Sequence, residues 1–409
     1  MVTNPKRLEV RELKMIPQSR LFDYVSKRDG YSWRRDEQSG IFSLTSGPWQ
    51  GSEWNHQVVI VRPNGSDAAH GMAVLYITGG EPNPLDIEEA QTIADRANLP
   101  VAMLFHIPNQ PIFDLWEDDL IAHTFERFID TGDLTWPLLY PMTRAAIRAM
   151  DMLEEAAGIA KFVVTGASKR GWTTWLTAAT GDARVIGIAP MVIDNLNFPA
   201  QMAHQIECWG GYSEQIEDYT RRELQNEMDS IRGGELVAMM DPIHYLDRIR
   251  CPILIVNGSN DRYWAVDALS LYWDMLPRTT RCLVVPNVGH VLGDKVQMIE
   301  TFSAFADACF RGELLPAVEA RIEEGRVEIA IDGAVDSGIW IALSDSLDFR
   351  DSAWERAGST PAQGSMSLAG LESLRETGAN VAAMIEARFA GPTGEYSLST
   401  PVKVLPAES

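Results

Sequence analysis

The segment VVTGASKRGWTTW, from Val163 to Trp175, decides how the rest of the chain is interpreted. Strand-favouring residues lead into Gly166 and Ala167, and Ser168 follows just before a helical pattern. Small residues let the backbone turn tightly, and the free N–H groups of the helix start can stabilise a negative charge beside the serine. This strand–turn–helix layout predicts an exposed nucleophilic serine. A serine that only caps the helix is the alternative interpretation.

The two cations after the serine need a separate explanation. Positive charge opposes the dipole at a helix N-terminus, so Lys169 and Arg170 must gain an interaction that offsets this cost. The planar fork of arginine suits a fixed bidentate pair, so we expect Arg170 to hold a buried acid such as Asp194, Asp118 or Asp119. A lysine suits a mobile point charge, so we expect Lys169 to lie nearer the substrate pocket.

Short apolar runs rich in β-branched residues alternate with helical patterns over most of the chain. These runs are 58–62, 72–77, 100–106, 162–166, 185–193, 252–258 and 281–286. Continuous apolar strands alternating with amphipathic helices are typical of a parallel sheet that is buried on both faces. The fold class that we predict is α/β, with a doubly wound, mostly parallel sheet.

Two stretches interrupt this alternation and set the predicted domain organisation. Residues 195–248 are rich in aromatic, methionine and charged residues and predict a helical insertion that acts as a cap. Residues 315–409 show short alternating strands with turn residues and predict a small, sandwich-like all-β module. The α/β domain is therefore expected to span residues 1–314. We expect the module to supply no catalytic residue, and a chain ended near Arg311 to keep the geometry of the site.

Partners for the serine occur at the ends of two later strands. Asp261 follows the run PILIVNG, and His290 follows RCLVVP. The order Ser, Asp, His on loops after strands is that of the α/β-hydrolases, and sites of open α/β sheets lie at these strand ends. We predict Ser168 as nucleophile, His290 as general base and Asp261 as the acid that orients the imidazole. Asp194, which ends the strand before the insertion, is the alternative acid.

The remaining candidate site residues concern the oxyanion and the substrate. The backbone N–H of Lys169 is the expected first oxyanion donor, and the second is expected from the loop of Gly79, Gly80 and Glu81. A plain tight turn is the alternative for that loop. Trp209, in the insertion, is a candidate substrate contact.

Composition excludes several classes of partner. The 409-residue chain has a net charge of −22, which repels phosphate backbones, so we expect no nucleic acid partner. The four cysteines form no CxxC pair and show no zinc spacing with histidine, so we expect no metal and no cofactor. The expected partner is a small-molecule or peptide substrate, and the oligomeric state stays open.

The terminus and the hydropathy bear on location. No apolar run approaches the roughly 18 residues of a membrane span. The first residues contain no apolar signal core, so the chain as given is expected in the cytoplasm, or in the periplasm or outside the cell if a signal was removed before this terminus.

Several longer motifs resemble a known family. They are PNQP at 108–111, the helical stretch at 117–151, GASKRGWTTWLTAATGDARVIGIAPMVIDNLN at 166–197, DPIHYLDR at 241–248 and PNVGH at 286–290. Over roughly residues 20–310, the chain resembles the PhoPQ-activated pathogenicity-related family. The resemblance implies an α/β-hydrolase fold with Ser168, Asp261 and His290 at the positions of its triad.

Three functions fit these patterns. The first is a serine hydrolase that cleaves a carboxylic ester through an acyl-enzyme. The second is a serine exopeptidase or amidase of the prolyl-oligopeptidase type, in which acids such as Glu81 or Glu207 would hold a free amine. The third is a binding or signalling protein on a hydrolase scaffold.

Overall fold

The computed structural model describes residues 20–65, 71–323, 326–360, 363–367, 375 and 378–407. Its first nine strands are β1 Ser32–Arg35, β2 Phe42–Trp49, β3 Ser52–Val61, β4 Met72–Ile77, β5 Val101–Leu104, β6 Lys161–Ala167, β7 Val185–Met191, β8 Ile253–Gly258 and β9 Thr280–Val285. The later strands are β10 Val318–Glu323, β11 Arg326–Ile331, β12 Ala334–Ser344, β13 Trp354–Ser359, β14 Gln363–Ser367, β15 Asn380–Gly391, β16 Gly394–Ser399 and β17 Lys403–Leu405. Each of the seven apolar runs contributes to one of strands β3 to β9, as the sequence predicts.

Residues 20–25 are helical, and the other helices described lie between the strands of the first 311 residues. They are α1 Pro84–Ala97, α2 Glu117–Thr131, α3 Leu139–Ala157, α4 Lys169–Ala179, α5 Phe198–Trp209, α6 Glu217–Thr220, α7 Leu224–Glu227, α8 Ile231–Met240 and α9 Val296–Arg311. Short 3₁₀ turns occur at Glu214–Ile216, Pro242–Tyr245, Ala268–Leu271 and Trp273–Met275. Among the residues described, no helix is both long and apolar enough to cross a membrane.

The centre of the molecule is a parallel sheet. Strands β5, β4, β6, β7, β8 and β9 lie side by side in this order and run parallel to one another. Strands β1, β2 and β3 extend the β5 edge with antiparallel pairs. Their apolar side chains are buried because helices cover both faces: the core on one face includes residues of α2, α3 and α4, and the core on the other includes residues of α1 and α9. The α/β fold class is therefore confirmed.

Strands β10 to β17 are the named elements in the described part of the C-terminal region, and one of its sheets continues the central sheet. Strand β16 pairs with β9 through Ser399 and Cys282, and β15, β12 and β13 follow beyond it. Strands β10, β11 and β14 form a separate three-stranded sheet. Val327 of β11 and Ile385 of β15 belong to the same apolar core as α9. The region thus shares its sheet and its core with the hydrolase fold, which a self-contained module would not do.

The insertion is helical, as expected. It contains α5, α6, α7 and α8, and it lies between β7 and β8 in the chain. Trp172 of α4 donates a hydrogen bond to the carbonyl of Met240 at 2.7 Å, which ties the end of α8 to the helix that follows Ser168. Its indole also packs edge-on against Phe198 of α5. The insertion therefore covers the start of α4.

Candidate active site

Ser168 lies at a strained turn between β6 and α4. Its backbone has φ +56° and ψ −127°, a conformation that residues other than glycine rarely adopt. The turn closes because glycines flank it. A Cβ on Gly166 would lie 2.8 Å from the Arg170 carbonyl oxygen, and one on Gly171 would lie 2.6 Å from Ile193. This tight strand-to-helix turn is the arrangement of a nucleophile elbow.

His290 and Asp261 meet on the loops that follow β9 and β8. The Nδ1 of His290 lies 2.8 Å from Asp261 Oδ2, and the Asp261 side chain is buried. The ring of Tyr263 stacks on the imidazole with a centroid distance of 4.2 Å. With Nδ1–H donating to the carboxylate, Nε2 is the free base, and it is buried without a hydrogen-bond partner among the described residues. Asp261 therefore fixes Nδ1 of the imidazole, and Nε2 stays available to accept a proton.

Ser168 and His290 line one cavity of about 130 Å³ beneath the helical insertion. Its apolar wall includes Phe125, Ile129, Trp172, Phe198, Met202, Met228, Leu236 and Val237. Polar groups also line this wall: Asn195 Oδ1, Gln225 Oε1 and Trp264 Nε1 are buried there without a hydrogen-bond partner among the described residues. A small apolar group therefore fits beside the serine and the imidazole, with two amide oxygens and an indole N–H in the lining.

The alternative acid Asp194 has different partners. Its carboxylate accepts hydrogen bonds from Asn257 at 2.8 Å and from the hydroxyl of Tyr272. Burial raises the pKa of Asp194 to about 7 in spite of these bonds. The structure thus brings Asp261, and not Asp194, to His290 Nδ1.

Both cations after Ser168 are ion-paired. Arg170 donates from Nη1 and Nη2 to the two oxygens of Glu117 at 2.7 Å each, and its Nε donates to the Ile107 carbonyl at 2.5 Å. Lys169 Nζ lies 2.9 Å from Glu117 Oε2 and 2.8 Å from Asp118 Oδ2. Burial raises the pKa of Glu117, but hydrogen bonds and charges from Arg170 and Lys169 outweigh it and lower the value to about 2.

This pairing answers the question raised by the sequence and revises part of the expectation. Arg170 makes the bidentate pair that was expected, but its acid is Glu117, which the sequence analysis did not name. Lys169 lines the cavity with Ser168, yet it is buried between two carboxylates and is not a mobile charge. Asp119 pairs instead with Arg221 and Arg222.

The loop after β4 serves Arg170 directly. A Cβ on Gly79 would lie 2.2 Å from Arg170 Nη2, so only glycine leaves room for the guanidinium. Gly80 has φ +54°, and its carbonyl accepts from the backbone of His106 at 3.2 Å. The Glu81 side chain is 75% exposed and lies 3.4 Å from His106. Within the described part of the chain, the residues that line the cavity include none of these three, so the second oxyanion donor stays a prediction.

Trp209 is placed away from the cavity lining. The guanidinium of Arg350 stacks over its indole at 4.2 Å from the ring centroid. Arg350 also forms an ion pair with Glu214 at 3.1 Å. Trp209 therefore contacts the C-terminal region, and its expected role as a substrate contact is not supported by this position.

The C-terminal region also holds the loops that carry Asp261 and His290. Asn260 donates to the carbonyls of Ser352 at 2.8 Å and Arg350 at 3.2 Å. Asn287 exchanges two hydrogen bonds with the backbone of Trp354, at 2.7 and 2.9 Å. Among the described residues, the cavity lining contains none beyond His290, as expected. That a chain ended near Arg311 keeps the site intact stays a prediction, and these contacts weigh against it, because both loops would lose them.

The fold and the elbow place the chain in the α/β-hydrolase class. Its sequence belongs to the PhoPQ-activated pathogenicity-related protein family, whose model matches residues 21–350. It is similar to autocrine proliferation repressor protein A of Dictyostelium discoideum, with 29% identity over 374 residues, 81% of this chain and 75% of that protein. Among solved structures it is similar to an acetyl xylan esterase from Paenibacillus sp. R4, with a TM-score of 0.50, 12% identity and coverage of 71% of this chain and 91% of that one. Acetyl xylan esterase 1 from Thermoanaerobacterium sp. JW/SL YS485 gives a TM-score of 0.49, 13% identity and coverage of 68% and 88%.

Proposed function

We propose that the chain is a serine hydrolase that cleaves carboxylic esters with a small apolar acyl group. The observation that carries this proposal is the shared cavity: the strained Ser168 and the free nitrogen of His290 line the same apolar space. Ser168 Oγ would attack the ester carbonyl while His290 Nε2 takes its proton. His290 would then return the proton to the leaving alcohol, and a water would hydrolyse the acyl-enzyme by the same route.

The acid and the turn complete this mechanism. Asp261 would keep the proton on His290 Nδ1 and stabilise the imidazolium that forms, which its 2.8 Å contact supports. The N–H of Lys169, the first residue of α4, follows the nucleophile and is the proposed first oxyanion donor. The Lys169 ammonium is already paired with Glu117 and Asp118, so it would act as part of the wall.

The cavity sets the proposed size of the acyl group. Its volume of about 130 Å³ is close to the roughly 150 Å³ of an apolar cavity that accepts benzene. An acyl chain of about four to six carbons occupies a similar space. Longer chains would have to displace the aromatic wall formed by Phe125, Trp172 and Phe198.

Among the described residues, this cavity offers the exopeptidase alternative no free acid. Glu117 and Asp118 are neutralised by Lys169 and Arg170. Glu81 is mostly exposed beside His106, and Glu207 is 69% exposed beside His204. A free amine therefore has no unpaired carboxylate among the described residues of the lining, which favours the ester over an aminoacyl substrate.

A chain-length series tests this proposal. Hydrolysis of p-nitrophenyl acetate, butyrate, hexanoate, octanoate and dodecanoate is compared with that of aminoacyl p-nitroanilides. We expect kcat/KM to peak at butyrate or hexanoate, to fall at least about tenfold by dodecanoate, and to be lost in Ser168→Ala. The matched control is Ser270→Ala, at an exposed serine outside the cavity. Equal rates for Ser168→Ala and wild type, or a preference for the anilides, would contradict the proposal.

A further inference from the structure

A second cluster of reactive side chains lies outside the cavity lining. His204 and Cys208 are four residues apart on α5, so they share one face of the helix. Asp267 reaches them from the turn before Ala268–Leu271. His204 Nε2 lies 2.7 Å from Asp267 Oδ1 and 3.4 Å from Cys208 Sγ. One ligand atom from each residue lies within 4.8 Å of the other two.

The three donors suit a divalent cation of the zinc type. Zinc binds thiolate sulfur at about 2.3 Å and imidazole nitrogen or carboxylate oxygen at about 2.0–2.2 Å. In a tetrahedral site, these bond lengths put neighbouring ligand atoms roughly 3.3–3.6 Å apart. The widest separation in the cluster, up to 4.8 Å, therefore has to close by about 1.2–1.5 Å, and the 2.7 Å between His204 Nε2 and Asp267 Oδ1 has to open by about 0.6 Å, which side-chain rotation supplies. A thiolate and a carboxylate also balance the charge of the ion.

The burial of the cluster leaves one side open. Cys208 is 9% exposed, and the side chains of His204 and Asp267 are each 15% exposed. A water molecule can therefore take the fourth position from the solvent side. The sequence shows no zinc spacing here because the third ligand comes from a segment about 60 residues later in the chain.

We propose that His204, Cys208 and Asp267 form a binding site for a zinc-type divalent cation. The ion would displace the thiol proton and the proton shared by His204 and Asp267. Without an ion the same groups form an ion pair with a nearby thiol, which is the competing explanation of the cluster.

Such an ion would join the wall of the cavity to the segment that follows Asp261. Helix α5 lines the cavity through Phe198 and Met202. The segment of Asp267 begins at Asp261, and Gln205 of α5 already donates to the Tyr263 carbonyl within it at 2.9 Å. The site thus fixes the insertion against the segment that positions His290.

Cobalt titration of the full chain tests the proposal. The protein is stripped with a chelator, desalted and titrated with Co²⁺, and Zn²⁺ is then added in competition. We expect one Co²⁺ per chain, tetrahedral visible bands, a near-ultraviolet thiolate-to-cobalt band, and displacement by Zn²⁺. Cys208→Ser should remove the thiolate band, and Asp267→Asn should weaken binding by more than about tenfold. Cys251→Ser, at a cysteine outside the cluster, should match wild type.

Three results would overturn the proposal. They are the lack of saturable Co²⁺ binding by wild type, a thiolate band that persists in Cys208→Ser, and binding of equal strength in Asp267→Asn. Circular dichroism shows which variants are folded. If Cys208→Ser does not fold, Asp267→Asn decides through the same titration.

Discussion

Replacing Arg170 by methionine tests the explanation of the cation pair beside the serine. Methionine keeps an unbranched apolar side chain that reaches about as far as the arginine Nε, but it removes the two hydrogen bonds to Glu117 and the one to the Ile107 carbonyl. Glu117 would remain in its place with Lys169 as its remaining cation, at 2.9 Å. The change therefore weakens an ion-pair network without leaving a carboxylate entirely alone.

The lowered pKa of Glu117 sets the size of the expected loss of stability in Arg170→Met. The fall from the ordinary 4.5 to about 2 corresponds to roughly 3 kcal/mol at 1.36 kcal/mol per unit. Glu117 is 38% exposed and shares its charge with Lys169, so solvent screening and this second partner reduce the share of Arg170. We expect Arg170→Met to lower the free energy of unfolding by about 2 kcal/mol, and the melting temperature by about 2–3 °C for a chain of this size.

The pH dependence gives a second readout. Because the folded pKa of Glu117 is lowered, its stabilising contribution is present above about pH 4.5 and is lost as pH falls through about 2. The difference between wild type and Arg170→Met should therefore be full at pH 7 and shrink below pH 4.5. Urea unfolding at a series of pH values measures it.

A matched surface variant controls for the loss of an arginine. Arg311 pairs with Asp307 and Glu313 but is 41% exposed, so Arg311→Met should change stability by less than about 0.5 kcal/mol. If Arg170→Met unfolds like Arg311→Met at every pH, the pair between Arg170 and Glu117 does not stabilise the fold, and this explanation of the cations beside Ser168 is refuted.

Three further predictions concern the acids and the C-terminal contacts. Asp261→Asn should lower kcat by about 10³–10⁴-fold through the wrong histidine tautomer, whereas Asp194→Asn should change it less than about tenfold; comparable losses would mean that the acid is misassigned. Asn287→Gly keeps the backbone freedom that φ +60° requires but removes both hydrogen bonds to Trp354. We expect kcat to fall with little change in KM, and the free energy of unfolding to drop by about 1–3 kcal/mol. Unchanged kinetics would show that the C-terminal region does not support the loop of His290. Burial raises the pKa of Asp194 to about 7, so its contribution to stability is complete below about pH 4 and is lost as pH rises through about 7. Between pH 5 and 8, the free energy of unfolding in urea should therefore decline less for Asp194→Asn than for wild type, and the decline that remains should come from Asp241, whose pKa burial also raises to about 7. An unaltered slope in Asp194→Asn would contradict this.

The sequence predicts the central fold and the elbow because both are local patterns. Apolar runs alternate with amphipathic helices, and each run becomes a strand of the sheet. The turn at Ser168 depends on glycines only two or three residues away, so its geometry can be inferred from GASKRG. The pairing of Asp261 with His290 is longer in range, but parallel strands bring their C-terminal ends to one edge, so topology predicts it.

Other features depend on contacts that no local pattern encodes. Glu117 lies 53 residues before Arg170, and an acid at a helix start is explained equally well by the helix dipole. Asn260 and Asn287 look like ordinary loop residues until the C-terminal region is placed beside them. A tryptophan in an aromatic-rich insertion is typical of a substrate contact, and only the position of Arg350 shows the actual partner of Trp209.

The continuation of the sheet into the C-terminal region was also beyond the sequence pattern. Alternating strands predict an all-β segment, but the pattern is the same whether such strands form their own sandwich or join an existing edge. The single pair between Ser399 and Cys282 makes the difference, and it connects β16 to an edge formed 117 residues earlier. A pairing of such range is set by tertiary packing.

Covalent labelling tests the central claim, that Ser168 is an activated nucleophile, most directly. The full chain is treated with a fluorophosphonate probe and digested, and the modified residue is identified by mass spectrometry. We expect one label per chain on Ser168, strong slowing of labelling in a folded His290→Ala variant, and no label in Ser168→Ala. Labelling of another serine, or no labelling of a folded wild-type protein, would contradict it.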